Sequence, residues 1–134
     1  MNKKILFICV HNSARSQMAE AWFNKVCRDG WEAKSAGLEP GVLNPIVIKA
    51  MHEVGIDLSQ QHPRQLTTDL ARGAAILITM GCGDECPVVP GVSRDDWPLS
   101  DPKDRPIAEV RAIRDDIKER VRALIHEKQW QRRS

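Results

Sequence analysis

The sequence lacks any apolar run that is long enough to cross a membrane as a helix, which takes about 20 residues. The first apolar run, residues 5–10, follows two lysines, as the apolar part of a signal peptide would. It is too short for that role, it ends at His11, and no small-residue cleavage site follows. We therefore expect residues 5–10 to form a strand of a cytoplasmic protein.

The sequence also lacks a strong excess of charge and a dense set of cysteines. A formal net charge of +2 does not indicate binding to nucleic acid or to a membrane surface. Its cysteines, Cys9, Cys27, Cys82 and Cys86, are too few and too unevenly spaced for a secreted disulfide scaffold. They favour a cytoplasmic protein with reactive thiols. Cys27, one turn after Phe23, has the spacing of a small buried core residue.

The 134 residues predict a single domain over residues 1–130, with residues 131–134 as a frayed tail. Apolar spacing predicts the order strand, helix, strand, helix, strand, strand, helix. The corresponding segments are residues 5–10, 13–28, 31–36, 45–54, 74–80, 93–97 and 106–128, with a short helix near 67–72. This order predicts an α/β fold, a doubly wound four-stranded parallel sheet with helices on both faces.

The most informative stretch is the predicted turn from the first strand into the first helix. Cys9 ends the apolar run, and five residues separate it from Arg15 and Ser16. The N–H groups at a helix start have no partner within the helix, and the helix dipole adds positive charge there, so the loop can bind an anion. The same surroundings favour a cysteine thiolate, which is the nucleophilic form, and Arg15 can hold two oxygens of a tetrahedral oxyanion.

The loop resembles the catalytic loop of the low-molecular-weight tyrosine phosphatase superfamily. The run from His11 to Ser16, His-Asn-Ser-Ala-Arg-Ser, is more similar to the arsenate reductases of that superfamily than to its phosphatases. The resemblance implies four parallel strands with the first strand internal. It also implies that the substrate oxyanion is bound by Val10, His11, Asn12, Ser13, Ala14, Arg15 and Ser16.

Further site residues are expected at the ends of the other strands, because ligands in such sheets bind beyond the carboxyl ends of the strands. Asp101, in the run Trp-Pro-Leu-Ser-Asp-Pro, resembles the superfamily's general acid and would protonate the leaving oxygen. The small residues 35–37 would let the end of the second strand pass close to the loop of residues 10–15 after Cys9, here called the Cys9 loop. In the superfamily, the residue that matches Asn12 holds the loop, and the hydroxyl that matches Ser16 donates to the nucleophile's sulfur.

Two later cysteines favour reduction over hydrolysis. The resemblance implies that Cys9 attacks arsenate, that Cys82 then attacks the Cys9 sulfur and releases arsenite, and that Cys86 moves the disulfide outward. No cofactor is expected; a thiol reductant serves as co-substrate, either thioredoxin-like, glutaredoxin or a low-molecular-weight thiol. The spacing departs from the thioredoxin-linked pattern, since only three residues separate Cys82 from Cys86.

Several alternatives stay open on the sequence. A tyrosine phosphatase would have aromatic residues at the rim of the site, whereas this chain has no tyrosine and Trp97 has the pattern of a core residue. A zinc or thiol-sensor module at Cys82 and Cys86 lacks a second pair of ligands. A non-catalytic oxyanion-binding protein would not need Cys9, Arg15 and Asp101 together. Part of the superfamily binds a monovalent cation through residues that resemble Asn12, Glu20 and Ser35, but Gln65 stands near the expected acidic ligand, and we assign no metal.

Overall fold

The computed structural model describes residues 4–27, 30–81 and 88–128. Its strands are β1 (Lys4–Cys9), β2 (Glu32–Gly37), β3 (Ile76–Thr79) and β4 (Ser93–Asp96). Its helices are α1 (Arg15–Val26), α2 (Pro45–His52), α3 (Thr68–Arg72) and α4 (Ile107–Lys128). The strands form one parallel sheet in the order β2-β1-β3-β4. The predicted four-stranded parallel sheet with an internal first strand is therefore confirmed.

Strand β1 explains how the sheet is buried on both faces. Alternate side chains of a strand point to opposite faces. Ile5, Phe7 and Cys9 belong to a large apolar cluster with residues of α1, α2 and α4. Leu6 and Ile8 belong to a smaller cluster that includes Ala71 of α3 and its neighbours. Strand β1 is apolar from Ile5 to Cys9, which is typical of a strand in a parallel sheet covered on both sides.

The large cluster holds the two side chains that the sequence placed in the core. Trp97 lies just beyond β4, is 6% exposed, and packs against Phe7 with ring centroids 5.6 Å apart. Cys27, which follows α1, is 3% exposed. Both predictions of burial are confirmed, so neither side chain is at the rim of a site.

Helix starts follow the predicted capping chemistry, with small shifts in the bounds. The Asn44 side chain accepts a hydrogen bond from the Ile46 N–H at 2.9 Å, and Pro45 is the first residue of α2. Helix α1 begins at Arg15 rather than at residue 13, because Ala14 has φ −149° and still belongs to the preceding loop. Strand β3 covers only the middle of the predicted segment 74–80.

None of the helices in the described residues has the length and apolar character needed to cross a membrane. The predicted tail, residues 131–134, lies outside the described residues.

Candidate active site

The candidate nucleophile, Cys9, lies at the carboxyl end of the internal strand β1. It pairs with Gly37 in β2 and is followed by a loop that leads into α1. Its thiol is free and 2% exposed. The pattern of an apolar strand, a cysteine, a loop and a helix therefore puts a buried sulfur beneath the start of α1.

Four carbonyls at the end of β1 and in the loop bind the segment that follows β2. The carbonyls of Cys9, Val10, His11 and Ser13 accept hydrogen bonds from the N–H groups of Leu38, Glu39, Gly41 and Asn44, at 3.4, 2.8, 3.0 and 3.0 Å. Within the described part of the chain, no main-chain N–H group of residues 11–16 donates a hydrogen bond to the protein. Main-chain N–H groups of this kind, together with the dipole of α1, can bind an anion. Binding of an oxyanion by this loop stays a prediction.

Asn12 fixes the loop from inside. It is fully buried and has φ +51°, a left-handed conformation that asparagine tolerates better than most residues. Its side-chain oxygen accepts from the Arg64 N–H at 2.7 Å and from Gln17 Nε2 at 3.1 Å. Its Nδ2 donates to Ser16 Oγ at 2.8 Å. The loop is thus tied to the segment before α3 and to the first turn of α1.

Ser16 links Asn12 to the sulfur of Cys9. Its Oγ lies 2.8 Å from Cys9 Sγ, and both residues are buried. Since Oγ already accepts from Asn12, and since a thiolate has no proton to give, the hydroxyl hydrogen is directed at the sulfur when Cys9 is ionised. The arrangement matches the roles that the resemblance implies for these two side chains, and those roles stay a prediction.

Arg15 is the buried cation of the site. The residue is 6% exposed, and its Nη1 donates to the Leu99 carbonyl at 3.0 Å. Its Nη2 lies 3.9 Å from Asp101 Oδ2. The loop after β4 therefore brings Asp101 to the same edge of the sheet as Cys9, as the sequence predicts.

The Asp101 carboxylate is accessible from outside. Its side chain is 53% exposed, and its Oδ1 accepts from the Lys103 N–H at 3.0 Å. It lies on the wall of a cavity of about 530 Å³ between the Cys9 loop, the start of α2 and residues 101–105. His11, Ser13 and Ala14 form the loop's share of that wall. A carboxyl group so placed can exchange protons with solvent and face a ligand in the loop.

Several features of the site could not be read from residue type. Leu99 contributes a main-chain oxygen, Arg64 contributes a main-chain N–H, and Gly81 packs against the Arg15 guanidinium. Gln17 donates to the carbonyl oxygen of Asn12 at 3.2 Å and to that of His62 at 3.3 Å. Only its polarity at a buried position of α1 marks it as unusual.

The other predicted thiols, Cys82 and Cys86, lie outside the described residues. The described chain reaches Gly81, the residue before Cys82, and places it beside Arg15. The structure thus brings together Cys9, Arg15 and Asp101 from the predicted catalytic set, whereas the roles of both later cysteines stay predictions.

The residues that resemble cation ligands lie next to the loop. Ser35 Oγ donates to Glu20 Oε1 at 3.2 Å, and burial raises the pKa of the Glu20 carboxyl above its ordinary value. The Gln65 side chain instead donates to the carbonyls of Leu38 and Leu66, at 3.1 and 3.4 Å. Residues 4–27, 30–81 and 88–128 contain no group of three His, Cys, Asp or Glu side chains that could hold a metal ion.

Known proteins are similar to this chain over most of its length. The family model described as low molecular weight phosphotyrosine protein phosphatase matches residues 4–134. The chain is 38% identical over 129 residues to "Arsenate reductase 2" of Staphylococcus haemolyticus, covering 92% of this chain and 98% of that one.

Two solved structures are also similar to this chain in fold and sequence. A thioredoxin-dependent arsenate reductase of Corynebacterium glutamicum is 38% identical with a TM-score of 0.80, covering 94% of this chain and 61% of that one. An arsenate reductase of Archaeoglobus fulgidus is 30% identical with a TM-score of 0.77, covering 91% of this chain and 98% of that one.

The match extends well beyond the loop that carried the resemblance. It includes the parallel sheet, the helices and the chain as far as its last residue. The predicted resemblance is confirmed: the chain belongs to the low molecular weight phosphotyrosine protein phosphatase family.

Proposed function

We propose that the protein reduces arsenate to arsenite with electrons from a thiol donor, and that Cys9 is the nucleophile. The observation that carries the proposal is the buried Cys9 thiol beneath N–H groups that donate to no described part of the protein. Arg15 and Asp101 lie at the same edge of the sheet. This arrangement suits a tetrahedral dianion with four oxygens. Relatives named arsenate reductases match most of the chain, which supports arsenate as that anion.

In the first step, the N–H groups of the loop and the Arg15 guanidinium bind arsenate. The Cys9 thiolate, stabilised by the Ser16 hydroxyl, attacks arsenic. A sulfur–arsenic bond forms and an arsenic–oxygen bond breaks. Asp101 gives a proton to the departing hydroxyl group of the arsenate dianion, which leaves as water. Arsenic is still pentavalent at this stage, so no electron has yet been transferred.

In the second step, a thiolate of Cys82 attacks the sulfur of Cys9. A disulfide forms between the two residues while the sulfur–arsenic bond breaks, and its electron pair stays on arsenic. Arsenic is thereby reduced from the pentavalent to the trivalent state and leaves as arsenite. Two thiols are oxidised for each arsenate reduced, so the electrons balance.

In the third step, a Cys86 thiolate attacks Cys82, which frees Cys9 and leaves a disulfide between the two later cysteines. A thiol donor then reduces that disulfide by exchange. A thioredoxin-like donor is part of the proposal because the C. glutamicum relative is named thioredoxin-dependent. Exchange of this kind needs reduced thiols at rest, which favours a cytoplasmic location.

Hydrolysis of phosphate monoesters through a phosphocysteine is the less supported function. Hydrolysis needs Cys9, Arg15 and Asp101 but gives no role to Cys82 and Cys86. The relatives and solved structures described above are named arsenate reductases. In both activities the first step is the attack of Cys9 on the oxyanion. The test must therefore measure whether the thiol donor is oxidised when arsenate is added.

The test measures arsenate-dependent oxidation of NADPH in the presence of thioredoxin and thioredoxin reductase, with glutaredoxin and glutathione as a second arm. Cys9→Ser and Cys82→Ser are each expected to abolish turnover. Cys86→Ser is expected to abolish turnover with thioredoxin. The matched control is Cys27→Ser, a cysteine buried in the core, which is expected to keep turnover.

Three results would contradict the scheme. Normal turnover by Cys82→Ser would exclude a disulfide between Cys9 and Cys82 as an intermediate. Full activity of Cys86→Ser would mean that the donor resolves the Cys82 sulfur directly. Steady hydrolysis of an aryl phosphate without formation of arsenite would assign the protein to the phosphatases.

A further inference from the structure

We propose that Gly81 positions the oxyanion-binding arginine: because residue 81 has no side chain, the Arg15 guanidinium can lie against it and reach the Leu99 carbonyl. The inference deepens the proposed function, since it rests on Arg15 as an oxyanion ligand. It assigns Gly81 a positioning role, not contact with the substrate.

The packing around Arg15 leaves no room for a side chain at residue 81. A Cβ built on Gly81 would overlap Arg15 Nη1, and it would lie 3.3 Å from Arg15 Cζ and 3.3 Å from the Leu99 oxygen. The guanidinium is the movable part of this contact, because it ends a long side chain. A methyl group at residue 81 would therefore displace the guanidinium before it displaced the main chain.

Among the described residues, one hydrogen bond and one longer ion pair, with Asp101 at 3.9 Å, hold the guanidinium. Arg15 Nη1 donates to the Leu99 carbonyl at 3.0 Å, and the contact is buried. A guanidinium is planar, so a bond at one nitrogen restricts the plane in which the other nitrogens can meet an anion. Loss of the Leu99 bond would leave the cation in the protein but remove its orientation.

The main chain holds Gly81 in place. The N–H of Met80, which is fully buried, donates to the Ile8 carbonyl at 2.8 Å, so the chain stays beside β1 up to the preceding residue. Gly81 itself has φ +90°, a conformation that other residues rarely adopt. The residue thus combines an unusual backbone conformation with a close contact, and only the contact involves the site.

Gly91 provides a matched control, because it has the same backbone strain without the contact. Its φ is +83°, and a Cβ built there would meet nothing within 4 Å. Gly91→Ala therefore reports the cost of the left-handed conformation alone. A loss of phosphate affinity that occurs in Gly81→Ala but not in Gly91→Ala reports the contact with Arg15.

The experiment measures the affinity of inorganic phosphate by isothermal titration calorimetry, and the melting temperature by circular dichroism. Loss of an oriented charge-assisted hydrogen bond is expected to weaken phosphate binding by Gly81→Ala about 10- to 100-fold. Gly91→Ala is expected to lower the melting temperature by no more than Gly81→Ala does, because Gly81→Ala also loses the buried bond between Arg15 and Leu99. Its phosphate affinity should stay within about twofold of wild type, because strain alone does not reach Arg15.

A double-mutant cycle separates positioning from general damage. If Gly81 acts through Arg15, then Gly81→Ala should weaken phosphate binding little further in an Arg15→Lys background. If Gly81→Ala weakened phosphate binding by the same factor in the wild-type and the Arg15→Lys backgrounds, the inference would be wrong. A second measurement needs no variant at residue 81: the Arg15 Nη hydrogens of the wild type should exchange slowly in 15N-arginine NMR spectra, and rapid exchange would overturn the inference.

The outcomes distinguish this inference from the proposed function. If the wild type binds phosphate and Gly81→Ala binds it equally well, only the role of Gly81 is wrong. If the wild type binds neither phosphate nor arsenate, the proposed function is wrong and the inference falls with it.

Discussion

Replacing Gly37 with alanine tests how the Cys9 loop is held in shape. Gly37 ends β2 beside Cys9, and the loop crosses directly over it. A Cβ at residue 37 would lie 2.8 Å from the Asn12 nitrogen, 2.8 Å from the His11 carbonyl carbon and 2.9 Å from the Val10 oxygen. All three are main-chain atoms, so relief requires the loop or the strand to move.

The structure sets the size of the expected effect. Overpacking a well-packed site costs about 1–3 kcal/mol. For a chain of this length, each kcal/mol corresponds to roughly 3–5 °C in melting temperature, so Gly37→Ala should melt about 3–15 °C below wild type. Because the displaced atoms include the N–H of Asn12, the variant should also bind inorganic phosphate more weakly.

Gly41→Ala is the control, since Gly41 lies in the segment that binds the loop and its added Cβ would meet His11 Cβ at an ordinary 3.5 Å. It should melt within about 2 °C of wild type, as do most substitutions that create no clash. The assay is thermal unfolding followed by circular dichroism, with and without phosphate. Equal melting temperatures for the two variants would refute the claim that close contact with β2 shapes the loop.

Two further predictions concern the nucleophile and the surface of α4. Ser16→Ala removes the hydroxyl that faces the Cys9 sulfur. A hydrogen bond to a charged group contributes about 1.5–3 kcal/mol, so the variant should lower kcat/KM for arsenate about 10- to 100-fold. An unchanged kcat/KM would contradict a role for this hydroxyl. Hydrogen bonds from Arg111, with help from Arg114, lower the pKa of Glu53 to about 2 from its ordinary 4.5. The folded protein therefore gains stability from Glu53 above about pH 4.5 and loses it as the pH falls towards 2. The melting temperature of Glu53→Gln should thus lie below wild type at pH 7 and converge with it near pH 2, and a difference independent of pH would contradict the assignment.

The parts of the site that sequence could predict depend on local chemistry. The apolar run before Cys9, the helix pattern after Arg15 and the small residues up to Gly37 each limit the main chain where they occur. Asp101 could be placed because carboxyl ends of parallel strands meet at one edge. These predictions needed residue type and chain order but no distance.

The remaining features depend on contacts between distant segments. The Leu99 carbonyl and the Arg64 N–H are main-chain groups, so residue type gives no sign that they face Arg15 and Asn12. From the sequence, Gly81 cannot be told from an ordinary turn glycine. Its contact with the Arg15 guanidinium exists only once β3 and α1 are packed together. Element bounds shifted for a related reason: Ala14 is a good helix former, yet the loop needs it outside α1.

The most direct test of the account is a single turnover of the fully reduced protein with arsenate and no thiol donor. The account predicts about one arsenite released and two thiols lost per chain, with neither change in Cys9→Ser. Release of arsenite without loss of thiols, or unchanged release by Cys9→Ser, would contradict the claim that the buried sulfur at the end of β1 attacks the oxyanion.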